Sequence, residues 1–238
     1  MSLAINHNIT ALNAWRQVSN NDKSMSMSME KLSSGLRINR AADDPAGLVI
    51  SEKMRAQLSG LSAATKNVEK AINMISTAEA ALDKVNSLLV KMRTLAVDSA
   101  NSAVNDTEMV AANQAEFDEA FDSITRISDD TQFGTLNLLD GSINGAIFQV
   151  GANDGQTVSV TIDDMDAATL GLSSGTGTVT ASGVIADIDS AIQTVSAARG
   201  DLGAIQADNL EVQLDSLRIS FENLQAAEST IRDTDMTK

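Results

Sequence analysis

Apolar residues recur at intervals of three and four along most of this chain, the spacing of one face of an α-helix. Over residues 3–32, Ile5, Ile9, Leu12 and Trp15 or Arg16 keep this rhythm, and Met25, Met29 and Leu32 resume it. The middle of that stretch, "SNNDKS", is polar and forms helix weakly. Such a helix needs a partner for its stability. "SSG" offers a stop, with Gly35 suited to the left-handed residue that follows a helix. "DDP" offers a start: Asp43 or Asp44 can accept hydrogen bonds from free backbone N–H groups, and Pro45 fits the first helical position. From there Ile50, Met54, Leu61, Val68, Ile72, Ile75, Leu82, Val85, Leu89, Met92 and Ala96 make a near-heptad seam, with Gly60 as its weak point. One helix over residues 45–98 would run about 80 Å at 1.5 Å per residue, which reads as a rod.

"DSANSAVNDT" breaks the pattern with turn formers, and a second helix follows at roughly 107–129. "SDDTQFG" reads as a turn into different grammar. "GAIFQVGANDGQTVSVTI" holds two short alternating runs around Asn153, Asp154 and Gly155, the residues a hairpin turn wants. "SSGTGTVTASG" reads as a flexible connector. From Val184 the helical period returns through Ile188, Ile192, Val195, Leu202, Leu210, Leu217 and Leu224, weakened locally by Gly200 and Gly203. The predicted fold is mostly α: long antiparallel helices in a coiled-coil-like rod, with a small β-hairpin region. Its parts are an N-terminal helix segment (1–34), a connector (35–44), the N-terminal rod helices (45–130), a small β and loop excursion (131–183) and a C-terminal long helix (184–238). Both chain ends then lie at the same end of the rod.

Charge sharpens this division. The chain carries 17 Lys and Arg against 32 Asp and Glu, a net charge of -15. A nucleic-acid partner is therefore not expected, because phosphates need a basic face. Residues 1–60 hold 7 basic and 5 acidic side chains, and the remainder 10 and 27. Residues 131–183 contain no Lys or Arg at all. There is no cysteine, so disulfides and thiolate metal sites are excluded. With no tyrosine, one tryptophan and five phenylalanines, the core must be built from Ala, Leu, Ile, Val and Met, which suit close helix seams. No apolar run is long enough to span a membrane, and the N-terminus does not have the form of a Sec-type signal.

Catalytic chemistry finds little support. His7 is the single histidine, which rules out paired-histidine zinc sites and reads best as a packing residue. "GTGT" is not followed by the Lys-Ser/Thr of a phosphate loop. The carboxylates of Asp163, Asp164 and Asp166, and of Asp233 and Asp235, read as solvated faces, and none has EF-hand spacing. "RGD" at Arg199–Asp201 lies inside a helical pattern and reads as a chance match to an integrin ligand. No catalytic, cofactor or metal residue is assigned.

Four stretches carry a more specific signal: "LSSGLRINRAADDPAGLVISEKMRAQLSGL", "AINMISTAEAALDKVNSLLVKMRTLAVDSAN", "QVGANDGQT" and "LRISFENLQAAESTIRDTDM". Together they resemble bacterial flagellins over nearly the whole chain, in the family order. The resemblance implies a subunit of the extracellular flagellar filament that serves motility by self-assembly with other copies. It implies export through the flagellar type III machinery, without a signal peptide. Terminal segments would pair as coiled-coil helices in the filament core, with the long helices forming the next layer. Arg37, Arg40, Asp43, Asp44 and Pro45 would join these layers, the arginines contacting neighbouring subunits. An innate immune Toll-like receptor reads a patch in many flagellins that Arg93, Leu95 and Glu116 match. Lys91 stands where arginine is usual, and Val90 and Thr94 also depart from the pattern. The chain stops just after "DTDM", short of the usual C-terminal core helix, so the resemblance also predicts a truncated short form with poor polymerisation. A hook–filament junction homologue, or a host-binding module acting through 131–183, are the alternatives carried forward.

Overall fold

A computed structural model of the chain describes residues 8–101, 105–175, 178–180 and 183–235. Its order is α1 (Ile9–Ser34), α2 (Pro45–Ser99), α3 (Thr107–Asp130), β1 (Gln132–Phe133), β2 (Leu136–Asn137), β3 (Ala146–Gln149), β4 (Thr157–Val160), a 3-10 turn (Thr178–Thr180), α4 (Val184–Ala204), a π-helical segment (Ile205–Glu211) and α5 (Val212–Arg232). His7 and Ile5, and Ser102–Val104 of the interhelical turn, lie outside the described residues. The chain divides into two compact units, Met1–Leu61 with Ile219–Lys238, and Ser62–Arg218.

The larger unit is built on α2. Val68, Ile75, Leu82, Leu89 and Ala96 are buried at seven-residue intervals. A second buried row runs beside them through Ala64, Ala71, Ala78, Val85 and Met92. Two rows three apart define the narrow face of a coiled-coil seam. α3 covers part of it with Phe117, Ala120 and Ile124. α4 contributes Ile188, Ala191, Val195 and Leu202. The returning helix is antiparallel to α2, as ion pairs show: Arg93 meets Asp189, Asp83 meets Arg199 and Glu69 meets Arg218.

Residues 131–183 prove to be core material as well as excursion. Leu138, Leu139, Ile143, Val150, Val160, Ile162, Met165 and Val179 are all buried. The expected hairpin around "GANDG" forms as antiparallel β3–β4, with Ala146 opposite Val160 and Gln149 opposite Thr157. Gly155 adopts φ +79°, and the Gln149 side chain donates to the Asn153 carbonyl at 2.6 Å, closing the loop from inside. A second hairpin, β1–β2, stands where only a turn is expected; Gly134 at φ +69° makes its bend. The predicted flexible connector is tied down where it is described. The Gln114 side chain accepts from the Val179 N–H at 2.9 Å, and Asp118 accepts from the Gly175 N–H at 3.0 Å. Polar residues of α3 thus hold a loop whose own sequence offers almost no apolar anchor. Thr176, Gly177, Ala181 and Ser182 of this stretch lie outside the described residues.

The smaller unit contains α1, the connector, the start of α2 and most of α5. Asn8 caps α1, its side chain accepting from the Ala11 N–H at 3.1 Å. No residue of α1 is buried. Ile9, Leu12, Trp15, Val18, Met25, Met29 and Leu32 are all exposed. Among the described residues, this is the longest element with no core of its own.

Gly200 and Gly203 do not end the C-terminal helix, yet the helix changes type just after them, at the π segment. Residues 3–7 of the first predicted helix, and Met236–Lys238 of the last predicted segment, lie outside the described residues.

Candidate interaction surfaces

The connector is a joint of closely satisfied polar groups. Gly35 ends α1 at φ +71°, its N–H donating to the Lys31 carbonyl at 2.9 Å. An L-residue would be strained there, which is why a glycine stands at this stop. The chain then runs beside the end of α5. The Arg37 N–H donates to the Arg232 carbonyl at 2.7 Å, and the Thr234 N–H donates to the Gly35 carbonyl at 2.9 Å. Leu36 and Asp233 form the antiparallel bridge between them.

The two arginines have intramolecular partners. The Arg37 guanidinium donates to the Ile231 carbonyl. Arg40 grips Glu30 of α1 with both branches, Nε to Oε1 at 3.0 Å and Nη2 to Oε2 at 2.9 Å. Asn39 donates to the same carboxylate at 3.0 Å. Only Ile38 of this segment is buried, at 1% exposure. It pins the joint while the polar residues on either side stay wet.

The two aspartates divide the capping work. Asp44 caps α2: its Oδ1 accepts from the Gly47 N–H at 2.9 Å, with Pro45 at the first helical position. Asp43 closes the turn before it, its Oδ2 accepting from the Asn39 N–H at 3.1 Å and the Arg40 N–H at 2.9 Å. Those backbone hydrogen bonds, from Arg40 first and then Asn39, hold the Asp43 carboxyl below its ordinary value of 3.8, with smaller help from the Lys31 and Arg40 charges. Glu52 is also held below its ordinary 4.5, chiefly by a hydrogen bond from Arg232 at 2.7 Å.

The residues matched to a receptor patch are not one cluster. Lys91 on α2 pairs with Glu116 on α3 at 3.3 Å. Arg93, two positions on and so about 200° round the helix, turns toward α4. It binds Asp189 there at 2.6 Å, a hydrogen bond that raises the already high pKa of its guanidinium. Leu95 is half-buried, whereas Val90 and Val97 are exposed on α2. In the "RGD" tripeptide, Arg199 is engaged with Asp83 at 3.2 Å and the whole motif is helical.

Among the described residues no group of three or more His, Cys, Asp or Glu is placed to hold a metal ion. No helix of the described residues is long and apolar enough to cross a membrane. The exposed apolar row of α1 is the feature that spacing alone makes legible. The bridge between the connector and the end of α5 has no signal in the sequence, because it joins residues about 200 positions apart through backbone atoms.

Comparison with known proteins extends these observations. Residues 5–144 match the family model of the bacterial flagellin N-terminal helical region, and residues 185–238 that of the bacterial flagellin C-terminal helical region. The flagellin of Halalkalibacterium halodurans is 45% identical, over 99% of this chain and 88% of its own length. The flagellin of Bacillus subtilis is 40% identical, over 99% of this chain and 89% of its own. The crystal structure of Bacillus cereus flagellin shares the fold, with a TM-score of 0.56 at 23% identity, over 64% of this chain and 88% of that one.

Two expectations follow for the connector. A Cβ added at Gly47 would sit 2.4 Å from the Asp44 carboxylate and 2.8 Å from Ile38. Gly47→Ala should therefore lower stability by about 2 kcal/mol through cap loss and overpacking, although alanine is the better helix former. Urea unfolding measures it, and a gain would contradict the crowding. Because the Asp43 carboxyl is shifted down in the folded state, its contribution is present above 3.8 and is lost as pH falls through the lower folded value. Asp43→Asn should be less stable than the parent at neutral pH and should converge with it in acid, as thermal melts at several pH values would show.

Proposed function

The chain belongs to the bacterial flagellin family, and we propose how its surfaces serve assembly of the filament. Flagellins are structural proteins, and this chain is a structural subunit of the extracellular flagellar filament. The observation that carries the assembly reading is α1, a helix of 26 residues with no buried residue and a full apolar row on its surface. Burial of such a row contributes roughly 25 cal/mol per Å² of apolar surface, against the cost of ordering a helix that is marginal by itself. Packing among copies supplies that cover. Secretion through the flagellar export machinery is proposed alongside it, supported by the family resemblance of the whole chain.

At the connector the two arginines take different parts. Arg37 stitches the joint to the end of α5. Arg40 remains 71% exposed at its side chain while bound to Glu30. A guanidinium has five N–H donors, so Arg40 keeps donors free for a carboxylate or carbonyl on a neighbouring subunit. Asp43, Asp44 and Pro45 fix the geometry from which it reaches out. Trp15→Asp and Arg40→Ala should leave the monomer's thermal melt within about 0.5–1 kcal/mol of the parent, as exposed sites do. Both should sharply reduce the filament that the parent chain forms, read by sedimentation against the parent under the same conditions. Equal loss of folding and assembly, or filaments unchanged by Trp15→Asp, would count against the reading.

A second reading concerns innate immune recognition. Lys91, Arg93, Leu95 and Glu116 stand at the positions the resemblance points to, and Lys91 and Arg93 reach the surface. Each is held in an ion pair, and lysine cannot reproduce the forked geometry of arginine. Toll-like receptor signalling is proposed to be weak and to rise in a Lys91→Arg variant. A cell reporter assay giving the same potency for both chains would remove that role from Lys91.

A further inference from the structure

The buried row of α2 keeps its seven-residue period without a fault from Val68 to Ala96. The helix running back along it does not. Ile188, Val195 and Leu202 are buried seven apart, and so are Leu210 and Leu217. Between Leu202 and Leu210 the interval is eight. Before that interval the cross-helix ion pairs keep equal spacing on the two helices. Asp189 to Arg199 is ten residues, matched by ten from Arg93 back to Asp83.

In a regular α-helix one additional residue would turn everything after it by about 100°. Leu210, Leu217 and Arg218 would then leave the face they occupy. The π segment Ile205–Glu211 lies in that interval. A π turn bonds each N–H to the fifth carbonyl back instead of the fourth, so it holds the surplus and restores the register. This arrangement is not locally favourable. The Gln206 side-chain oxygen is buried without a hydrogen-bond partner. Gly200 and Gly203 stand just upstream, yet a Cβ at either would meet nothing within 4 Å. No packing demand explains them, and each is a weaker helix former than alanine.

We propose that Ile205–Glu211, with the glycines before it, is a slip joint. It stores one surplus residue and is the compliant point of the returning helix, so the helical stretches before and after it can shift along α2 independently while each keeps its seat. This goes beyond the filament reading and is tested on the single chain in solution. Ala207 is exposed within the π segment. Deleting it should give an uninterrupted heptad, a cooperative melt with a midpoint no more than about 2 °C below the parent, and amide exchange over residues 200–211 slowed by at least about tenfold. Deleting exposed Lys84 from α2, where no surplus exists, should abolish the cooperative transition. A melt of the Ala207 deletion as damaged as that of the Lys84 deletion would overturn the surplus. Parent-chain amides at 206–211 as protected as those at 188–198 would overturn the compliance.

Discussion

The double row of buried residues on α2 is the constraint on which the larger unit depends. Val68 to Ala96 and Ala64 to Met92 give that helix an apolar face it cannot bury by itself. Small side chains alternate with large ones across the two rows: Ala71 and Ala78 follow Val68 and Ile75. Close approach of neighbouring helices is therefore possible, and dispersion contacts are dense although aromatics are few. α3 and α4 bring their own buried residues to this helix, and ion pairs with Lys91 and Arg93 hold them beside it. Even the acidic 131–183 segment, which lacks any cation, is held in the fold because Leu138, Leu139, Ile162 and Met165 are buried.

The smaller unit follows a different logic. Its α1 has no buried residue, and its connector is specified almost wholly by polar chemistry: a left-handed glycine, two aspartates with separate hydrogen-bonding duties, and an Arg40–Glu30 grip. Hydrogen bonds of this kind contribute about 1 kcal/mol each and fix direction better than they fix stability. A joint built this way points an exposed helix without committing it to a partner in the same chain. That is the division of labour a self-assembling subunit needs. Geometry is set in the monomer, and on the proposed reading most of the apolar free energy of α1 is released only among copies.

Much of this was legible in the sequence, and the failures have physical causes. The four helical tracts, the stop at Gly35, the start at Asp44 and Pro45, and the β3–β4 hairpin all rest on local signals, either periodicity or backbone preference. β1 and β2 are two residues each, too short to show alternation. The anchoring of Gly175 and Val179 depends on Asp118 and Gln114, polar side chains of α3 to which apolar periodicity gives no role. The intramolecular partners of Arg37 and Arg40 were not legible, because carbonyls and carboxylates brought near by folding leave no trace in composition. The π turn was encoded in the eight-residue interval from Leu202 to Leu210.

Electrostatics sets the remaining condition on assembly. A chain with net charge -15 repels its own copies, and residues 131–183 offer no cation to relieve it. The basic excess lies in residues 1–60, where Arg40 and the exposed row of α1 also lie. Repulsion between exposed charges is screened beyond about 8–10 Å at physiological salt, while apolar contact and short charge-assisted hydrogen bonds act within that range. On the proposed assembly, copies are held apart at long range and attracted only where the apolar row or the arginines meet a complementary surface directly. A charge pattern of this kind keeps the free subunit soluble. It also disfavours every encounter that leaves acidic faces opposed, so it restricts the ways in which copies can pack.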